Sequence, residues 1–140
     1  MKKILIDLNV LLDFLNKRPF HREAARIIGL CESGHFEGCL CAHEVTTLAY
    51  FLLKERRDRP LVERTLSTIM DLFTILPVDT EILRAALSSP IRDYEDAVVE
   101  ASAMHHALDA IITRNMADFA QSRIMSMTPE QFLLNYAPQM

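Results

Sequence analysis

The sequence predicts an α/β fold, a short parallel β-sheet with helices on both faces. Three observations predict it. Apolar runs of strand length alternate with longer amphipathic segments along the whole chain, the order produced by a parallel sheet with helical crossovers. The chain has 140 residues and is 50% hydrophobic, enough for one core and too little for two ordinary ones. It carries no internal repeat, low-complexity tract or linker, so residues 1–140 are expected to form a single domain.

The elements follow in order. Lys3–Asp7 reads as a buried strand with charge at its end. Leu8–Leu15 has helical spacing, with Val10, Leu11, Phe14 and Leu15 on one side and Asn9 and Asp13 on the other. Phe20–Glu32 is a second helix, stopped by Gly34. Glu37–Cys41 is the second strand and Glu44–Arg56 a helix with a wide apolar face. Pro60 marks a break before a helix over Leu61–Phe73, and Phe73–Pro77 is a short strand. Asp79 or Thr80 caps a helix through Leu87. Tyr94–Ala107 is an alanine-rich helix, Ala110–Thr113 an apolar strand, Met116–Ala120 a short turn of helix and Ile124–Met127 the last strand. Thr128-Pro129-Glu130-Gln131 opens a final helix, with Thr128 as N-cap and Pro129 in the first position.

Several function classes are excluded. No apolar run approaches the roughly 20 residues that cross a bilayer, so no membrane association is expected. The N-terminal apolar run is broken by Asp7, Asn9 and Asp13, which argues against a signal peptide. Three cysteines, Cys31, Cys39 and Cys41, make an odd count that suits a reducing, cytoplasmic setting rather than a disulfide framework. Cys39, Cys41 and His43 lack the paired spacing of zinc ligands. No glycine-rich phosphate loop or Gly-x-Ser-x-Gly elbow is present. The net charge of −4 does not advertise nucleic-acid binding. The basic cluster Lys54, Arg56, Arg57, Arg59 and Arg64 reads as a solvated helix end.

The acidic residues carry the chemistry. Open parallel sheets bind ligands beyond the carboxyl ends of their strands. Asp7 ends the first strand and Glu44 follows the second. Asp93 and Asp96 open the helix before the strand at Ala110–Thr113, and Thr113, Asn115 and Asp118 follow that strand. Convergent carboxylates repel one another, and a hard cation such as Mg2+ or Mn2+ resolves the repulsion through oxygen ligands. Such an ion can activate water for attack on phosphorus. Rival roles exist for each residue: strand-end turn chemistry for Asp7, the helix dipole for Glu44, and capping for Asp93 and Asp118. Capping is assigned to Asp93 and metal chemistry to Asp96. Glu100, one turn beyond Asp96, reads as a solvated helix face, and His105 and His106 as helix C-terminal residues.

Three blocks resemble a known family. Ile4-Leu5-Ile6-Asp7-Leu8-Asn9-Val10-Leu11-Leu12-Asp13 resembles the opening of PIN domains. Asp93-Tyr94-Glu95-Asp96-Ala97 resembles their central Asp motif, and Ile111-Ile112-Thr113-Arg114-Asn115-Met116-Ala117-Asp118-Phe119 their C-terminal strand and acidic loop. The order and spacing are the family's, over nearly the whole chain, and the type resembled is the VapC toxin. The resemblance implies a Rossmann-like PIN fold, a Mg2+ or Mn2+ site and hydrolysis of RNA phosphodiester bonds. It implies catalytic roles for Asp7, Glu44, Asp96 and Asp118, with Asp7, Asp96 and Asp118 as metal ligands and Asn9, Thr113 and Asn115 as supporting polar residues. Many members have Asp where this chain has Asn115, and Asp118 is expected to take over. An RNA substrate, an antitoxin partner and a homodimer are implied as well. The alternative is a catalytically weak PIN-like domain that binds RNA or protein. Asn115 favours it, and the intact set Asp7, Glu44 and Asp96 opposes it. A small-molecule phosphohydrolase is disfavoured by the lack of an Asp-x-Asp signature.

Overall fold

Strand β1 (Lys2–Ile6) lies at the centre of the sheet because its Ile4, Leu5 and Ile6 have apolar layers to meet on both sides. A computed structural model describes residues 2–136 of the chain. Residue 1 and residues 137–140, which the single-domain expectation includes, lie outside the described residues. On one side of β1 runs β2 (Phe36–Cys41), followed by β3 (Thr74–Leu76) at one edge. On the other side runs β4 (Ala110–Ile112), followed by β5 (Ser126–Met127). The order is β3-β2-β1-β4-β5 and every pairing is parallel.

Side-chain alternation sorts the core into two layers. Ile4, Ile6, Leu40 and Ile112 face α1 (Leu8–Leu15), α2 (His21–Glu32), α3 (Ala42–Arg56), α4 (Arg59–Leu72) and α7 (Pro129–Tyr136). Leu5, Cys39, Cys41 and Ile111 face α5 (Thr80–Ala86) and α6 (Tyr94–His105). Each buried Ile or Leu contributes roughly 1.5–3 kcal/mol, and β1 and β4 supply Ile4, Leu5, Ile6, Ile111 and Ile112, all fully buried. The three cysteines are buried free thiols within or against these layers. Burial pushes Cys31 up to about 11 and Cys39 up to about 12. Among the described residues, no helix is long and apolar enough to cross a membrane.

Local chemistry sets the helix ends. Asp58, Asp79 and Asp93 cap α4, α5 and α6 by accepting from the backbone N–H three residues on. Gly34, at φ +84°, turns the chain after α2 in the left-handed region that glycine tolerates. Gly38 in β2 is needed for space: a Cβ there would meet Cys31 Sγ and Phe73 Cδ1 at 2.8 Å.

Several expectations are corrected. Pro60 does not break the chain before α4 but lies in its first turn, where the missing N–H goes unused. Helix α3 begins at Ala42, which puts Glu44 at its third position. Met116–Ala120 is a run of turns rather than helix, joined by bonds such as Asp118 N–H to the Asn115 carbonyl at 3.0 Å. Only Phe119 in that segment is buried, and one anchor does not stabilise an isolated helical turn. Strand β5 is shorter than expected, starting at Ser126.

The strand order creates the crevice that matters. From β1 the chain crosses to β2 and β3 on one side, while β4 and β5 lie on the other. The carboxyl ends of β1 and β4 therefore flank the point where the order reverses, the usual binding place in open α/β sheets.

Candidate active site

Asp7 leaves β1 at that crevice and is buried at 5% exposure. Its backbone N–H donates to the Ile112 carbonyl at 2.9 Å, extending the β1–β4 pairing by one residue. Its Oδ1 accepts from the Leu8 N–H at 2.9 Å, so it also caps α1. Its Oδ2 accepts from the Thr113 hydroxyl at 2.9 Å. Thr113 is fully buried, and its oxygen in turn accepts from the Asn115 N–H at 3.0 Å. The end of β1 and the loop after β4 are thus joined through one carboxylate. Burial raises the Asp7 carboxyl above its ordinary value, hydrogen bonds from Thr113, Leu8 and Asn9 oppose the rise, and the Asp118 charge adds to it.

Glu44 enters from the next strand. In a reciprocal capping arrangement its Oε1 accepts from the Cys41 N–H at 2.9 Å. The side chain is buried, and Oε2 has no hydrogen-bond partner. Burial first, and the Asp7 charge second, hold Glu44 well above the ordinary carboxylate value. The helix-terminal role and the acidic-site position thus belong to the same residue.

Asp96 lies in the first turn of α6, half-buried, with its N–H capped by Asp93 Oδ1 at 3.1 Å. Its carboxyl is pushed up to about 7 by burial and by the charges of Asp7, Asp93, Asp118 and Glu95. Asp118 and Asn115 are exposed on the turns after β4. The Asp7 charge therefore acts on both Glu44 and Asp96, and the Asp118 charge on both Asp7 and Asp96, although Asp7 and Asp118 lie more than a hundred residues apart in sequence.

The donor set fits a hard divalent cation. It is all oxygen, it is strained by like charge, and it includes the buried, unpartnered Glu44 Oε2. Among the described residues, no three His, Cys, Asp or Glu side chains are already gathered closely enough to hold a metal ion alone. Mg2+ usually retains several waters and takes one or two carboxylates, so a tight protein cage is not what the ion requires.

Four features escaped the sequence reading. Glu95 adds its charge beside Asp96, and the half-buried His43 is lowered by burial, an effect that Glu95 offsets. Asp13, placed on the polar side of α1, is buried and receives both Nε and Nη2 of Arg114, the latter at 2.8 Å. The Arg114 guanidinium also lies 4.9 Å from the Phe20 ring centroid. Glu100, expected on a solvated face, is fully buried and paired with Arg123. The available signal was an acid inside an apolar run, Asp13 between Leu12 and Phe14 and Glu100 between Val99 and Ala101. Such an acid needs a partner, but sequence does not say which.

Comparison with known proteins agrees with the fold. A family model described as PIN domain matches residues 3–117. A toxin–antitoxin complex from Klebsiella pneumoniae is 25% identical, with TM-score 0.69 over 90% of this chain and 97% of that one. FitAcB from Neisseria gonorrhoeae is 24% identical, with TM-score 0.72 over 91% and 98%. VapC20 of Mycobacterium tuberculosis, a toxin that cleaves the sarcin–ricin loop, is 14% identical, with TM-score 0.68 over 87% and 96%. A search of curated protein sequences finds no match.

Proposed function

The chain belongs to the PIN-domain family, and from that premise we propose that it is a single-domain endoribonuclease that uses Mg2+ or Mn2+ to hydrolyse RNA phosphodiester bonds. The observation that carries the proposal is geometric: at the sheet's reversal point Asp7 is buried and bound to Thr113 after β4, and Glu44 is buried with its Oε2 unpartnered. PIN domains are nucleases, and the acidic residues at this crevice support that reading.

In this reading Asp7, Asp96 and Asp118 hold the cation, and Glu44 completes the acidic set. When bound, the cation supplies Lewis acidity toward the phosphate and a more acidic water. The protein supplies placement. Thr113 and the α1 N-terminus fix both oxygens of Asp7, so its remaining lone pairs have one orientation. Asn9 supports Asp7, and Asn115 ties the acidic turn to Thr113. Rigid ligands lower the cost of organising the site for a charged transition state.

The partner assignment follows the toxin–antitoxin complex from Klebsiella pneumoniae among similar structures. We propose a cognate antitoxin protein as the inhibitor of this chain and a homodimer as its working form. Tyr50, Leu53 and Met70 are exposed on α3 and α4, apolar surface that association would cover.

Paramagnetic Mn2+ titration by NMR tests the metal centre. Broadening confined to residues around Asp7, Glu44, Asp96 and Asp118 is expected, with loss of the effect in Asp7→Asn. Uniform weak broadening over all surface carboxylates would remove the proposal.

A further inference from the structure

Glu100 is a buried carboxylate that the acidic edge does not use. It lies on α6 one turn beyond Asp96, with no solvent exposure. Its Oε1 accepts from the Ser89 hydroxyl at 2.7 Å and from Arg123 Nη2 and Nε at 2.7 and 3.2 Å. Its Oε2 accepts from the Arg123 backbone N–H at 2.7 Å. Ser89 precedes α6, and Arg123 follows the turns that carry Asp118. One buried carboxylate therefore fastens two loops that are remote in sequence.

Those loops face each other across a cleft of ≈ 210 Å³. Pro90, Ile91 and Arg92 form one wall, and Ala117 and Gln121 the other. Asp93 and Asp118 line it too, and both charges act on Asp96, so the cleft adjoins the acidic edge.

We propose that this cleft is the subsite for the RNA base beside the scissile bond, with Gln121 and Arg92 selecting the base and Glu100 as the positioning residue that sets the walls. The inference rests on the ribonuclease reading above. Single-stranded RNA is recognised through splayed bases that stack on side chains and bond along their edges. Asp93 balances Arg92 in the lining and Asp118 is engaged by the cation in this reading, so the cleft offers no net positive charge to a bare phosphate and suits the neutral base better than the backbone. The Gln121 amide offers both a donor and an acceptor to a base edge, and Arg92 offers donors alone. Pro90, exposed at the cleft, supplies apolar surface for the base to rest on, with the buried Ile91 beneath it.

Sequencing the ends produced from a random single-stranded RNA pool tests the cleft. The parent should show a base preference at one position next to the cut. Gln121→Ala and Arg92→Ala should each flatten that preference by about tenfold, since a polar site discriminates through bonds that the wrong base leaves unmade. They should raise KM more than they lower kcat. Glu100→Gln should flatten the same position while Mn2+ affinity is retained, whereas a merely structural Glu100 would lower thermal stability and leave the preference intact. Unchanged preference in both Gln121→Ala and Arg92→Ala would overturn the subsite. A second arm does not need turnover: amide NMR shifts on adding each of the four ribodinucleoside monophosphates. Shifts centred on Ile91, Arg92, Ala117 and Gln121 support the cleft even if the parent cuts no RNA, a result that would sink the nuclease reading alone. Shifts absent from those residues for all four ligands would overturn the cleft whatever the parent cleaves.

Discussion

Asp7 caps a helix, joins two strands and carries a raised carboxyl, all with one side chain. Its place at the end of an apolar run was readable; its cap on α1 and its bond to Thr113 were not, the latter because the contact spans 106 residues. Asp7→Asn keeps the shape and removes a repelled charge. The metal-free variant should therefore melt higher than the parent, by about 2–4 °C for each kcal/mol of relieved repulsion; calorimetry in EDTA checks this, and a lower melting temperature would count against it. Arg114→Met has the opposite sign. It leaves Asp13 buried without its partner, a loss of about 3 kcal/mol that urea denaturation would read. A loss under about 1 kcal/mol would show that Asp13 finds another partner or water.

The element boundaries show what one sequence can and cannot disclose. Strands β1, β2 and β4 and helices α1, α2 and α6 declare themselves through periodicity and caps. The first turn of α3 did not, because Ala42 and His43 send no start signal and the cap is the unusual Cys41. The turns at Met116–Ala120 mimic a capped helix, Asn115 and Asp118 repeating the spacing of Asp93 and Asp96. What differs is tertiary: α6 buries seven residues, and this segment buries Phe119 alone. Asp7, Glu44 and Asp96 were legible at the ends of their elements and Asp118 only as following β4, while the cleft and its Glu100 brace depended on loop packing that no local pattern encodes. Gly38 is another such case, its small size explained only by Cys31 and Phe73. Gly38→Ala in β2 should cost about 1–3 kcal/mol through overpacking, with Mn2+ affinity unchanged in the folded fraction. Wild-type stability in that variant would mean that the Phe73 ring yields freely.

For the molecule as a whole, the acidic edge trades stability for a charged site. Asp7, Glu44 and Asp96 all have raised carboxyls, Asp96 up to about 7. Between the ordinary carboxylate range near 4 and about 7, the folded metal-free protein binds more protons than the unfolded chain, so its stability falls as pH rises through that window. Glu100 works the other way. Burial raises its carboxyl, the bonds from Arg123 and Ser89 outweigh that, and the net value is lowered. Its contribution is present above the usual glutamate value and is lost as pH falls through the lower folded one. Melting curves in EDTA should therefore show a maximum on the acid side of neutrality, and saturating Mn2+ should move that maximum toward higher pH by neutralising the edge. A maximum at or above pH 8 in EDTA would contradict the coupling. Sedimentation at tens of micromolar, roughly where weak interfaces are populated, should show a dimer, and monomer alone would remove the proposed homodimer. The central claim is that the edge formed by Asp7, Glu44, Asp96 and Asp118 cuts RNA with a divalent cation, and the most direct measurement is a cleavage time course on single-stranded RNA with purified parent and Asp7→Asn protein, each in Mg2+, Mn2+ or EDTA. The account predicts cutting by the parent with either ion, none in EDTA, and a rate at least about a hundredfold lower for Asp7→Asn, a loss of roughly 3 kcal/mol of transition-state stabilisation; equal rates for the two proteins, or full activity in EDTA, would contradict it.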